Sequence, residues 1–211
     1  MSAPIVLDSL DLAALLCSRV CHDLISPVGA IVNGLEVLEE ENDEETKTFA
    51  MDLIKKSARN ASAKLQFCRL AFGAAGSAGV QIDTGDAEKM ARGFIEDDKT
   101  KLTWNPPRVL LAKNRVKLLL NMLIIAGQAI PRGGMLTVDP VGEGDSLSFR
   151  VTAAGQNARV PPHAANLLAG TPEGSVDAHA IQPFYTGMLA RACGLTVSVM
   201  PENDTIIIAA Q

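Results

Sequence analysis

The sequence predicts an α+β chain in two parts, a long antiparallel helical hairpin over residues 1–75 and an α/β sandwich over residues 76–211. Three observations carry this reading. Apolar residues at Leu10, Ala14, Cys17, Cys21, Leu24, Val28, Ile31, Leu35 and Leu38 alternate in steps of four and three, the seam of a long helix in a bundle. A second seam, at Ala50, Ile54, Ser57, Ala61, Leu65, Cys68 and Phe72, follows an acidic run, Glu39 to Glu45. Beyond Gly73-Ala74-Ala75-Gly76-Ser77-Ala78-Gly79, which is small, patternless and marks a linker, short strand-like runs alternate with helical ones.

The first helix is expected to start at Asp8 or Ser9 and run to about Glu39, roughly 45 Å at 1.5 Å per residue. The acidic run that follows is poor for a helix C-terminus and good for an N-terminus, so a turn falls there. Asn42, with Glu45 three places on, matches a capping pattern for the second helix. Two helices joined by a short turn cannot cover two apolar stripes of this length. Pairing with a second copy into a four-helix bundle does, so a homodimer is expected. Lys55, Arg59, Ser62, Gln66 and Arg69 line the outer side of the second helix, either as a solvated charged face or as a surface for a partner.

In the second part, residues 86–97 read as a helix, 101–104 and 109–111 as short strands, and 113–130 as a strongly apolar helix. Residues 134–139 and 146–153 read as two strands around Gly142-Glu143-Gly144-Asp145, a hairpin signal. Helices near 163–168 and 179–193 and strands at 196–200 and 205–208 complete a mixed sheet with helices on one face.

Composition excludes several function classes. A net charge of −5 and 4% aromatic residues leave little to meet nucleic-acid phosphates or stack on bases, and an acidic balance disfavours a membrane surface. Asp8 and Asp11 stand where a signal peptide would need a basic start and an apolar run. The apolar stretch at 118–130 is too short to span a bilayer. Cys17, Cys21, Cys68 and Cys193 lack the spacing of a disulfide framework and read as small reduced core residues, so the cytoplasm is the expected compartment.

The candidate site lies in Arg19-Val20-Cys21-His22-Asp23-Leu24-Ile25-Ser26-Pro27-Val28-Gly29-Ala30-Ile31. His22 stands one step off the seam and projects from the helix flank. Arg19, Ser26, Gly29 and Asn33 share its stripe, polar or small throughout, with Ala30 beside them, and leave room for another surface to come close. Pro27 removes the bond to the Asp23 carbonyl at a cost of roughly 3 kcal/mol. Gly29 and Gly34 add about 1 kcal/mol each relative to alanine. Such breaks of local rules are expected at a functional site.

His22-Asp23-Leu24-x-Ser26-Pro27 in a seam of this kind resembles the phosphoacceptor box of bacterial sensor histidine kinases. Residues 120–134, Leu120-Asn121-Met122-Leu123-Ile124-Ile125-Ala126-Gly127-Gln128-Ala129-Ile130-Pro131-Arg132-Gly133-Gly134, are similar to the helix and turn that carry the ATP-site asparagine of those kinases. Ile125 occupies the place of the Mg²⁺-holding asparagine, and an alkyl side chain offers no oxygen to a hard cation. Val151 to Pro162 align with the adenine-binding stretch, where Ala153 replaces the aspartate and Asn157 the second glycine, while Gly155 survives. The phosphate-cradling glycine turn has no counterpart before Gly187.

Within that group the chain resembles the ChpT-type histidine phosphotransferases over nearly its whole length. The resemblance implies a dimerisation hairpin like that of histidine kinases, a degenerate ATPase-like (Bergerat-type) domain and no nucleotide or metal cofactor. It also implies a phosphoryl relay between the receiver domain of a CckA-type hybrid kinase and CtrA- and CpdR-type response regulators of the cell cycle, with Mg²⁺ brought by the receiver. Neutral imidazole is a competent nucleophile near pH 7, and phosphoryl transfer needs mainly positioning and charge neutralisation. Asp23 orients the ring, accepts its proton, or is only a solvated charge. Arg19 steadies the phosphate or pairs with Asp23. Cys17, Cys21 and His22 lack a fourth ligand for a metal. Two other functions are weighed against the relay: an ATP-dependent histidine kinase, which Ile125 and Ala153 oppose, and a dimeric module that binds receivers without transfer.

Overall fold

The computed structural model describes residues 4–73, 81–178 and 180–211; the expected linker falls almost wholly outside them. Helix α1 (Ser9–Glu40) begins at Asp8, whose Oδ1 accepts the Leu10 N–H at 2.8 Å. Helix α2 (Glu44–Ala71) is capped by Asp43, one residue after the expected Asn42: Asp43 Oδ2 accepts the N–H of Thr46 at 2.8 Å and its hydroxyl at 2.7 Å. These bonds hold the Asp43 carboxyl below the usual range, the hydroxyl first and the backbone second.

The two helices pack antiparallel, but not along the expected seam. The residues of α1 that are fully covered are Pro27 and Gly34. A Cβ on Gly34 would stand 2.6 Å from Ile54 Cγ1, so this glycine serves close helix packing rather than the site. The expected seam residues Leu10, Val28 and Leu35 are 79%, 48% and 47% exposed, and Cys17 and Cys21 are exposed as well. The expectation of Cys17 and Cys21 as core residues is therefore corrected for the single chain. The reason is geometric: a helix with apolar residues on two sides buries one against its hairpin partner and leaves the other outward. On α2, Ala50, Ser57 and Cys68 are buried as expected, whereas Leu65 is 55% exposed. Among the described residues, α1 is the one helix long and apolar enough by length and composition to cross a membrane. Its Arg19–Asp23 ion pair at mid-length and its packing on α2 are those of a bundle helix.

The second part is a five-stranded mixed sheet with a small two-stranded sheet beside it. Strand β1 (Gln81–Asp83) pairs antiparallel with β3 (Leu110–Ala112). Its three residues are too few to show an alternation, and sequence analysis missed it. Helix α3 (Thr84–Ile95), capped by Asp83, leads to β2 (Thr100–Trp104). Helix α4 (Lys113–Ala129) follows β3 and leads to the hairpin of β4 (Gly134–Val141) and β5 (Ser148–Ala154). Helices α5 (Ala164–Ala169) and α6 (Ile181–Ala192) precede the hairpin of β6 (Val197–Glu202) and β7 (Thr205–Ala210). The order is β2-β4-β5-β7-β6, parallel between β2 and β4 and antiparallel elsewhere.

The sandwich grips the hairpin at its open end. Phe67 of α2 stacks on Phe94 of α3, ring centroids 4.0 Å apart. Asn121 Nδ2 donates to the Ala71 carbonyl at 3.1 Å and Lys117 Nζ to the Phe72 carbonyl at 3.4 Å, so α4 satisfies carbonyls that α2 leaves open at its C-terminus. Burial holds the Lys117 ammonium below the usual lysine range. At the other helix, Leu12, Leu15 and Leu16 pack against Leu167, Ile181 and Phe184.

Candidate functional site

His22 sits at the middle of α1 with its side chain 70% exposed, on the flank where the stripe reading put it. Asp23, 13% exposed, reaches two neighbours at once: Oδ1 lies 3.5 Å from His22 Nδ1, and Oδ2 accepts from Arg19 Nε at 3.2 Å. Of the two fates open to Arg19, the structure shows the ion pair with Asp23. Asp23 is thus a mostly covered carboxylate held between a guanidinium and the imidazole, not a solvated charge. Its backbone carbonyl accepts from Lys64 Nζ of α2 at 3.2 Å.

Cys68 lies beneath this group. Burial, then the Asp23 charge, pushes its thiol up to about 11, against the pull of Arg19 and Lys64. Ser26 and Asn33 are exposed and Gly29 and Ala30 half-buried. A Cβ on Gly29 would meet nothing within 4 Å, so the surface beside His22 is open. Lys55 and Arg59 are exposed too, but α2 faces α1 with Ala50, Ser57, Lys64 and Cys68 and turns these two away. Lys55 lies 3.8 Å from Asp52.

The arrangement offers an accessible imidazole with Nδ1 against an anchored carboxylate. Residues 84–205 match the sequence model of the histidine phosphotransferase C-terminal domain. The protein phosphotransferase ChpT of Brucella abortus (strain 2308) is 55% identical over 212 residues, covering 100% of both chains. The chain belongs to the ChpT-type histidine phosphotransferases. A solved bacterial phosphotransferase is 52% identical, with a TM-score of 0.90 and 100% of each chain covered. As a member of this family the chain is a protein phosphotransferase of two-component phosphorelays.

In this histidine phosphotransferase the positions aligned with a kinase's ATP site have structural employment. Ile125 is fully buried in the core of the sandwich. Ala153 is fully buried on β5, between Leu136 and Ile206 of the neighbouring strands. A Cβ on Gly155 would stand 2.4 Å from the Gly133 carbonyl oxygen, and one on Gly187 2.0 Å from that of Leu168, so both glycines serve close chain packing. Asn157 takes a left-handed φ of 60°.

A cleft of about 580 Å³ opens between α1 and the segment before α6, lined by Arg19, Gln128, Arg159, His163, Glu173 and Asp177 among others. Sequence reading had no signal for Arg159 or Gln128 beside Arg19, since the pairing depends on how the sandwich meets the hairpin. Lys64 had one: a proline at position 27 leaves the Asp23 carbonyl in need of a donor.

Proposed function

We propose that His22 is the phosphoacceptor of this phosphotransferase, taking a phosphoryl group from an aspartyl phosphate on one receiver domain and passing it to the aspartate of another. The observation that carries this is the exposed ring with Nδ1 facing Asp23 Oδ1. A proton on Nδ1, held toward that carboxylate, puts the nucleophilic lone pair on Nε2. Nε2 attacks phosphorus in line, the N–P bond forms as the P–O bond to the receiver aspartate breaks, and the carboxylate departs. Asp23 stabilises the positive charge that develops on the ring, and Arg19 keeps Asp23 in place. The return step runs through the same geometry in reverse, with the second receiver's carboxylate as nucleophile.

Mg²⁺ comes with the receiver in this reading. Among the described residues no group of three or more His, Cys, Asp or Glu side chains is placed to hold a metal on this chain. ATP is not the donor, since a nucleotide has no carboxylate or asparagine to meet at Ala153 or Ile125. The outward apolar stripe, Leu10, Val28, Val32 and Leu35 on α1 with Met51 and Leu65 on α2, is covered by a second copy of the chain. The resulting four-helix bundle leaves the His22 flank open to receivers of the kinds that the family resemblance implies. Ser26, Gly29, Ala30 and Asn33 meet the receiver. The free cysteines accord with a cytoplasmic setting.

The test uses a receiver domain carrying labelled aspartyl phosphate. It is expected to label the wild-type chain at one histidine and not the His22→Ala variant. Undiminished labelling of His22→Ala would contradict the assignment.

A further inference from the structure

Pro27 has no N–H, and the acceptor that this deprives, four residues back, is the Asp23 carbonyl. A proline inside a helix ordinarily kinks or breaks it, yet α1 continues from Ser9 to Glu40 with Pro27 fully covered. The vacancy in the ladder is filled from the other helix: Lys64 Nζ donates to the Asp23 oxygen at 3.2 Å in a partly buried setting. Lys64 lies on the side of α2 that faces α1, one turn before Cys68 and three residues after Ala61. The receiving residue is the one whose carboxylate stands against His22 and Arg19.

We propose that Lys64 is a positioning residue for phosphotransfer: it supplies the hydrogen bond that Pro27 removes, and by holding the Asp23 carbonyl it fixes the turn that sets the Asp23 carboxylate against His22. The proposal rests on the reading of His22 as the phosphoacceptor. An ammonium on a four-carbon stem suits the task, because it reaches a backbone oxygen across the helix pair and donates without demanding a fixed plane. Without it the carbonyl is left in a partly buried place with no donor. A water then inserts or α1 bends at residue 23, and the ring and its carboxylate separate. Misplacement of this size at a reacting group costs on the order of tenfold or more in rate.

The test is a double-mutant cycle in the full-length chain with Pro27→Ala, Lys64→Met and the pair. Alanine at 27 restores the N–H and gives the Asp23 carbonyl a donor of its own. The donor is phosphoramidate, a molecule too small to need a docking surface: its P–N bond breaks, ammonia leaves, and the phosphoryl group joins Nε2 of His22. The readout is the initial rate at which intact protein gains the mass of one phosphoryl group.

Lys64→Met alone is expected to slow labelling on the order of tenfold. In the Pro27→Ala background the same change is expected to alter the rate by less than about twofold, and Lys64→Arg to keep most of the wild-type rate. Should Lys64→Met unfold below the assay temperature, Lys64→Gln, too short to reach the carbonyl, replaces it in the same cycle. Equal slowing in both backgrounds, the pattern of a cation acting on the phosphoryl group or of a general loss of stability, overturns the proposal. So does full activity of the single variant. Failure of the underlying reading looks different: wild-type protein then takes no label that His22→Ala abolishes, from phosphoramidate or from a receiver.

Discussion

Helices α1 and α4 both carry long apolar runs, and they use that character in opposite ways. Of the 17 residues of α4, twelve are buried, among them Leu118 to Ala126 without a gap. Of the 32 residues of α1, two are fully covered, Pro27 and Gly34, neither a large side chain. The helix that resembles a kinase's nucleotide-binding element has become core, and the helix that carries His22 has kept its side chains outward. An asparagine at 125 would have to face a ligand, whereas Ile125 is fully buried in the core of the sandwich. A histidine at 22 must be reached, and α1 leaves it in solvent. The proposed phosphoacceptor therefore lies on the hairpin, and the sandwich packs at the hairpin's open end.

This contrast can be broken from either side. The largest effect is expected in the core. Ile125→Asn restores the kinase residue, but its amide is buried without a partner and the packing is lost. It should destabilise the chain by about 3 kcal/mol, read as a lower midpoint in urea denaturation, with no gain of labelling from ATP. A stable variant that takes phosphate from ATP would show that α4 still borders a nucleotide site.

On the outward face, Val28→Asp with Leu35→Asp is expected to shift the chain from dimer to monomer by light scattering while leaving the sandwich folded. A charge there costs several kcal/mol only if a partner covers it. An unchanged mass would contradict the proposed dimer through this face. In the site itself, Asp23→Asn keeps the size of the side chain and removes the charge that supports the ring, so transfer should slow on the order of a hundredfold. Arg19→Met leaves the carboxylate in place but unanchored and should slow it on the order of tenfold. A steeper loss for Arg19→Met than for Asp23→Asn would assign the guanidinium to the phosphoryl group directly.

The smallest effect concerns Cys68, whose thiol is pushed up to about 11 mainly by burial. An unfolded cysteine ionises nearer 9.0, so the folded thiol stays protonated where the unfolded one does not. Its contribution to stability is whole below pH 9.0 and is lost as pH rises toward about 11. Thermal melts should fall over that window, and less so in Cys68→Ala. Alkylation adds a check on the dimer: Cys17 and Cys21, exposed on the single chain, should react slowly in the dimer and fast once Val28→Asp and Leu35→Asp split it.

How much of this was legible in the sequence differs between the two helices. The bounds of α4 follow from an apolar run between a strand and Pro131, and the structure places them within one residue of expectation. The β4–β5 hairpin was readable from Gly142 and Gly144, both of which adopt positive φ. The ends of α1 were readable from Asp8 and the acidic run. Which side of α1 faces α2 was not. The apolar alternation marks the outward stripe more strongly than the inward one, because the inward line runs through Pro27, Gly34 and Asp23, whose packing no hydropathy pattern reports. The cap at Asp43 rather than Asn42 turned on the hydroxyl of Thr46 adding a second bond. At the site, the exposure of His22 followed from its offset. The Asp23 bridge and the Lys64 bond needed the register of the two helices.

The most direct test of the central claim is to incubate the purified chain with labelled ATP and Mg²⁺, with and without a phosphorylated receiver domain. The account predicts no label on the chain from ATP alone and prompt labelling at His22 once the phosphorylated receiver is present. Label at His22 from ATP alone would contradict it.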